Sequence, residues 1–126
     1  MKKIINISNA PKPLAPYSQA VMANDTLYVS GQIGINPLIG KVVEGGVGEQ
    51  CKQVMENIGS ILKEVGFDYT NIVKCSIFMK DMSFYGEVNE VYGTYFKIDP
   101  PAREAVAVKG LPADVDVEIS CIAIKK

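Results

Sequence analysis

No histidine occurs in the 126 residues, and a single arginine, Arg103, stands among twelve lysines. The missing imidazole excludes Ser-His and Cys-His nucleophile systems and removes the commonest metal ligand. Three cysteines, Cys51, Cys75 and Cys121, are odd in number, widely spaced and set within apolar periodic segments. That pattern fits neither a disulfide framework nor a zinc site and predicts buried, inert thiols. The longest apolar runs are too short to span a bilayer. Lys2 and Lys3 precede apolar stretches broken at Asn6, Ser8 and Asn9, so no signal-peptide core is present. The expectation is a cytoplasmic protein with no membrane partner. Fourteen acidic residues balance the scattered lysines to a net charge of -1, which leaves no electrostatic footprint for nucleic acid. Any catalysis therefore falls to carboxylates, hydroxyls, backbone groups and Arg103.

What is present describes one soluble globular domain spanning residues 1–126, with 48% apolar and 21% charged residues. Pro11, Pro13 and Pro16 predict an extended loop leading to Tyr17. Gln19 to Ala23, a turn at Asn24-Asp25, and Thr26 to Ile33 read as a hairpin. Strict alternation in its second strand puts Leu27, Val29, Gly31 and Ile33 on one face and Tyr28, Ser30 and Gln32 on the other. A short strand follows at Lys41 to Val43. From Val47 to Val65 apolar residues recur at three- and four-residue steps, which predicts an amphipathic helix stopped by Gly66. Ile72 to Met79 reads as a strand with Val73, Cys75, Ile77 and Met79 on its apolar face. Ser83 is positioned to cap a second helix carrying Phe84, Val88, Val91, Tyr92, Tyr95 and Phe96, broken by Asp99-Pro100-Pro101. Arg103 to Lys109 and Val115 to Ile124 complete about six strands. Two helices with six strands predict an α+β sheet covered on one face. The other face is too apolar for free solvation and points to self-association.

A guanidinium grips a carboxylate or phosphate with two parallel hydrogen bonds, so a lone arginine at the mouth of a strand reads as an anion anchor. A surface arginine in a cross-strand ion pair fits the same position. The short connection at Gly110 to Asp114 predicts that the last two strands pair antiparallel. If Val106 and Val108 face the helices together with Val115, Val117 and Ile119, then Arg103, Ala105 and Glu118 share the opposite face. A register with Glu118 across from Ala105 makes Arg103 its diagonal neighbour, and Ser30 falls on that face too. An arginine for a carboxylate and a glutamate for a water suit hydrolysis of a small anionic molecule. A plain Arg103–Glu118 ion pair, with Ser30 filling space, accounts for the same residues.

In order along the chain stand Pro16-Tyr17-Ser18-Gln19-Ala20, Ser30-Gly31-Gln32-Ile33, Asn36-Pro37 with Gly40, and Val88-Asn89 with Tyr92. Pro101-Ala102-Arg103 follows, and then Leu111-Pro112 with Val117-Glu118-Ile119. From about residue 7 onward the chain resembles the Rid (YjgF-like) family, specifically the RidA type of reactive intermediate deaminase. The resemblance implies a chorismate-mutase-like α+β fold assembled as a homotrimer, with active sites between subunits. It implies hydrolysis of 2-imino and enamine acids, such as 2-iminobutanoate and 2-iminopropanoate (2-aminoacrylate), to 2-keto acids and ammonia. These intermediates are released by pyridoxal phosphate dehydratases acting on serine or threonine. By matching position, Arg103 would hold the substrate carboxylate and Glu118 would position and help activate water. Tyr17, Ser30, Gly31, Asn89 and the backbone carbonyl of Ala105 would shape the pocket, with neither metal nor organic cofactor. Ala105 departs from the cysteine common in relatives, Ala15 from a frequent glycine, and Pro100 from a common aromatic context. Two other readings stand alongside: a non-catalytic module that binds small 2-keto acids at the same cleft, and the ribonuclease, translation-inhibitor or chaperone roles described for family members.

Overall fold

Period-two alternation, and the places where it slips, shape this molecule. The computed structural model describes residues 1–126. In chain order it contains β1 (Lys2–Ile5), β2 (Ala20–Ala23), β3 (Thr26–Ile33), β4 (Ile35–Asn36), β5 (Lys41–Val42) and α1 (Val47–Glu64). Then come β6 (Ile72–Met79), α2 (Tyr85–Gly93), β7 (Ala102–Ala107) and β8 (Val117–Ile124). Six strands form one sheet in the order β1-β2-β3-β8-β6-β7, while β4 and β5 form a separate two-stranded ribbon. The expected number of strands is met with a different membership. The Lys41 strand belongs to the ribbon, and β1, which carries only one buried residue, Ile5, joins the sheet through β2.

The α1 helix buries Val47, Cys51, Val54, Met55, Ile58, Ile61 and Leu62 along one stripe, as its spacing requires. It ends where Gly66 adopts a φ of 78° and the N–H groups of Gly66 and Phe67 return to the carbonyls of Lys63 and Leu62. Under the helices lie Leu27 and Val29 of β3, Cys75, Ile77 and Met79 of β6, and Val117, Ile119, Cys121 and Ala123 of β8, all buried. Each aliphatic side chain so enclosed contributes about 1.5–3 kcal/mol. The three cysteines are free and buried, and burial pushes the Cys51 thiol up to about 12.

Two bulges break the alternation. Val29 pairs with Cys121 and Gln32 with Ile119, so Ser30 and Gly31 together stand against Ser120. Beyond this extra residue the parity inverts. Gln32 turns inward to 4% exposure, and Gly31 and Ile33 do not share the face of Leu27. In β6 the register slips between Ile72 and Lys74, which turns Val73 outward to 43% exposure rather than into the apolar face.

The expected pairing of the last two strands is overturned. β7 lies parallel to β6 at the sheet edge, and β8 runs antiparallel between β3 and β6. The segment between β6 and β7 contains α2, which gives the long crossover that a parallel pair needs. The connection from β7 to β8 spans the end of β6, held by Val108 N donating to Met79 O and Lys80 N donating to Asp116 O. The parity of β7 inverts as well: Arg103 and Ala105 face the helices, while Glu104 and Val106 face away. Small alanines fit beneath α2, and Val106 is left 44% exposed. The start of α2 also differs. The Asp81 carboxylate accepts from Ser83 N and caps a 3₁₀ turn at Met82–Phe84 ahead of the helix.

The proline-rich loop between β1 and β2 is fastened by one side chain. Gln19, 1% exposed, accepts from Ile7 N at 2.7 Å and donates to the carbonyls of Ile7, Ala10 and Pro11. Gln19→Ala strands these groups in the interior and is expected to cost about 3 kcal/mol, read as a lower urea midpoint with an unchanged slope.

Candidate active site

Two groups of polar residues emerge from this architecture. The first is built on Arg103, at the second position of β7 just after Pro100-Pro101. From α2, Tyr85, Asn89 and Tyr92 project toward it at steps of four and three residues, one face of a helix. Arg103 Nη2 donates to Asn89 Oδ1 at 2.5 Å and to the Tyr85 hydroxyl at 3.2 Å. The guanidinium carbon lies 4.9 Å from the Tyr92 ring centroid and 5.6 Å from that of Tyr85, an aromatic bracket that favours the cation. No carboxylate pairs with it; the ion pairs of the chain are Lys74–Glu104 and Lys80–Asp114. Both Nη2 hydrogens are used, so the two on Nη1 and the one on Nε remain open to a ligand. Ala105 follows on the same face of β7, half-buried against the core.

The second group lies on the outer face of the sheet. Glu118 sits on β8 between Ile33 of β3 and Phe78 of β6. Its carboxyl has neither ion pair nor hydrogen bond within the chain, and burial raises its pKa above the usual glutamate range. The carboxylate occupies the space left by the missing side chain of Gly31: a Cβ there would meet Glu118 Oε2 at 2.6 Å. Ser30 Oγ donates to Ser18 O at 2.6 Å and Ser30 N to Gln19 O at 2.9 Å, which straps the proline-rich loop to the bulge. Tyr17 thereby lines, with Ala15, Gly31, Ile33, Pro112 and Ala113, a cleft of about 260 Å³. Its far wall is the turn Pro112–Asp114, where Ala113 and Asp114 hold φ of 54° and 52°. No cluster of three metal-ligating side chains occurs anywhere in the chain.

The expected diagonal contact between Arg103 and Glu118 does not form. Arg103 pairs with Cys75 and Glu118 with Phe78, two strands and three residues apart and on opposite faces. Strand spacing and rise place their backbones roughly 14 Å apart. The structure brings Arg103 together with Asn89 and Ala105, and Glu118 with Gly31, next to Ser30 and at the cleft that Tyr17 lines, but not the two groups with one another. The two tyrosines that bracket Arg103 were not foreseen as site residues. The signal lay in the spacing of 85, 89 and 92, which a reading of α2 for apolar residues alone passes over.

Chemically, a guanidinium without an anionic partner in its own chain can grip a small carboxylate. The second offers a carboxyl with raised pKa beside a small cleft, suited to moving a proton to or from water. A family model described as Endoribonuclease L-PSP matches residues 7–125. A rat protein named 2-iminobutanoate/2-iminopropanoate deaminase is 46% identical over 125 residues, covering 99% of this chain and 91% of the rat chain. Among solved structures, a Rid-family protein from Yersinia pestis superposes with a TM-score of 0.96 at 42% identity, covering 99% of this chain and all of the other. The E. coli protein TdcF, solved with bound serine, superposes with a TM-score of 0.94 at 33% identity over 98% of this chain and 99% of its own. With nearly its whole length matched in sequence and in structure, the chain belongs to the Rid (YjgF-like) family.

Proposed function

We propose that the protein hydrolyses small 2-imino acids and their enamine tautomers, 2-iminobutanoate and 2-iminopropanoate, to 2-keto acids and ammonia. The observation that carries this reading is the state of Arg103: half-buried, bracketed by aromatic rings, and lacking an anionic partner in its own chain. Burying such a cation is costly unless a ligand completes its surroundings. The deaminase relatives and the serine-bound relative agree with a small amino acid derivative as that ligand.

In the proposed mechanism the open N–H groups of Arg103 take the substrate carboxylate. Glu118, ionised, accepts a proton from a water whose oxygen attacks the imine carbon. The carbinolamine then collapses: the C–N bond breaks, the nitrogen leaves as ammonia with both hydrogens of the water, and the oxygen stays on the 2-keto acid. Tyr17, Gly31 and the backbone at Ala105 line the pocket, Asn89 fixes the guanidinium, and Ser30 holds the loop that carries Tyr17.

Because the two groups face away from one another within one chain, the complete site in this reading combines Arg103 of one protomer with Glu118 of the next. A homotrimer follows the family resemblance. The outer sheet face supports such packing, since Tyr28, Val106 and Ile124 remain 49%, 44% and 41% exposed there. The substrate comes from pyridoxal phosphate dehydratases acting on serine or threonine, in the cytoplasm. The family description also names an endoribonuclease, but one arginine, no histidine and a net charge of -1 give RNA little to hold.

Addition of the protein to a threonine dehydratase reaction is expected to speed release of 2-oxobutanoate and ammonia. Binding of 2-oxobutanoate without that acceleration would favour the non-catalytic module, and RNA cleavage surviving changes at Arg103 and Glu118 would point to a different site. Arg103→Ala is expected to raise KM strongly, and Glu118→Gln to lower kcat about a hundredfold with KM little changed. As Glu118 must be ionised, kcat/KM should hold at neutral pH and fall as pH drops through its raised pKa; Glu118→Gln should abolish that acid limb. Gly31→Ala should keep the fold, since the flexible carboxylate can swing away, yet lose activity by displacing it; melting curves and kcat measured on the same sample separate the two effects.

A further inference from the structure

On the α2 stripe the hydroxyl of Tyr92 is buried without a partner, whereas that of Tyr85 is exposed at the rim beside Arg103. The oxygen of Tyr85 accepts from Arg103 Nη2 at 3.2 Å. A phenol that accepts still has its own O–H to donate, and no acceptor within the chain takes it. Tyr92, 5% exposed, lies beneath the guanidinium as a platform, whereas Tyr85 is 40% exposed at the rim. Its unspent donor therefore sits beside the open edge of Arg103, where a ligand carboxylate would lie.

We propose that Tyr85 is a ligand-binding residue of the arginine pocket, its hydroxyl donating a hydrogen bond to the carboxylate that Arg103 grips. The inference rests on the deaminase reading for the identity of that ligand, a small 2-imino acid, but on the geometry alone for the donor. Arg103 Nη1 supplies a charge-assisted bond, and the phenol adds another from the side.

The contact requires a neutral phenol, because a phenolate would repel the ligand. The hydrogen bond from Arg103, that from Asn89 and the charge of Arg103 together lower the Tyr85 pKa below the usual tyrosine value. Affinity is thus full below that pKa and falls as pH rises through it. Around the pair stand Arg103 from β7, Asn89 and Tyr92 from α2, and Cys75 from β6. Burial holds both Tyr92 and Cys75 protonated beyond their ordinary ranges, which leaves Tyr85 as the group in contact with Arg103 that loses its proton first.

Tyr85→Phe, which keeps the ring against the guanidinium, tests the proposal through two measurements between pH 7 and 10. These are KM and kcat for imine hydrolysis, and Kd for 2-oxobutanoate by calorimetry. At pH 7.5 both KM and Kd are expected to rise about tenfold, with kcat within about twofold and the thermal midpoint unchanged. The alkaline weakening seen in the wild type should disappear. A variant with wild-type KM and Kd, or one that retains the alkaline weakening, overturns the assignment. Should the wild type bind 2-oxobutanoate without hydrolysing the imine, the deaminase reading fails and Kd alone decides the role of Tyr85.

Discussion

One face of the sheet must be dry. The burial of Leu27, Val29, Cys75, Ile77, Met79, Val117, Ile119 and Cys121 under α1 and α2 sets the parity of three central strands at once, and a one-residue slip in any of them would turn its apolar set to water. Every polar feature of the site is placed by this constraint. Glu118 faces outward because Val117 and Ile119 cannot. Ser30 and Gly31 face outward together because a bulge lets β3 carry an extra residue there while Leu27 and Val29 stay inside.

Arg103 is a half-buried charge on the helix side of the sheet, and its position is tolerable for specific reasons. It stands on an edge strand, under the first turns of α2, where the rings of Tyr85 and Tyr92 and the amide of Asn89 replace part of its hydration. What they do not replace is a counter-charge. An arginine held rigidly with no carboxylate of its own is preorganised for one that arrives in solution, and rigidity spares the ligand the cost of ordering the side chain.

The sequence made α1, β3 and β6 readable because their apolar periods are long and unambiguous, and Gly66 marks the end of α1 by a conformation that few other residues adopt. β7 resisted because alanine and valine alternate along it with little difference in hydrophobicity, so the period alone does not say which set is inside. Its pairing followed from topology instead: α2 between β6 and β7 permits a parallel neighbour, and a short connection to β8 does not force an adjacent one. The bulges at Ser30-Gly31 and Val73 were hidden for a related reason, since one extra residue leaves composition untouched. The expected site residues came from ordered motifs of the Rid family, but their division between two faces of one chain was not legible, because motif order carries no information about facing.

The fit between Gly31 and Glu118 also has an evolutionary side. The carboxylate fills space that exists only while position 31 lacks a side chain, so the order in which the two positions change matters. Once Glu118 is replaced by a smaller residue, a side chain at position 31 meets nothing. A glutamate that then returns must swing aside from the place it holds now. The contact works as a ratchet: one substitution restores the carboxyl group, and only a second, back to glycine, restores its position.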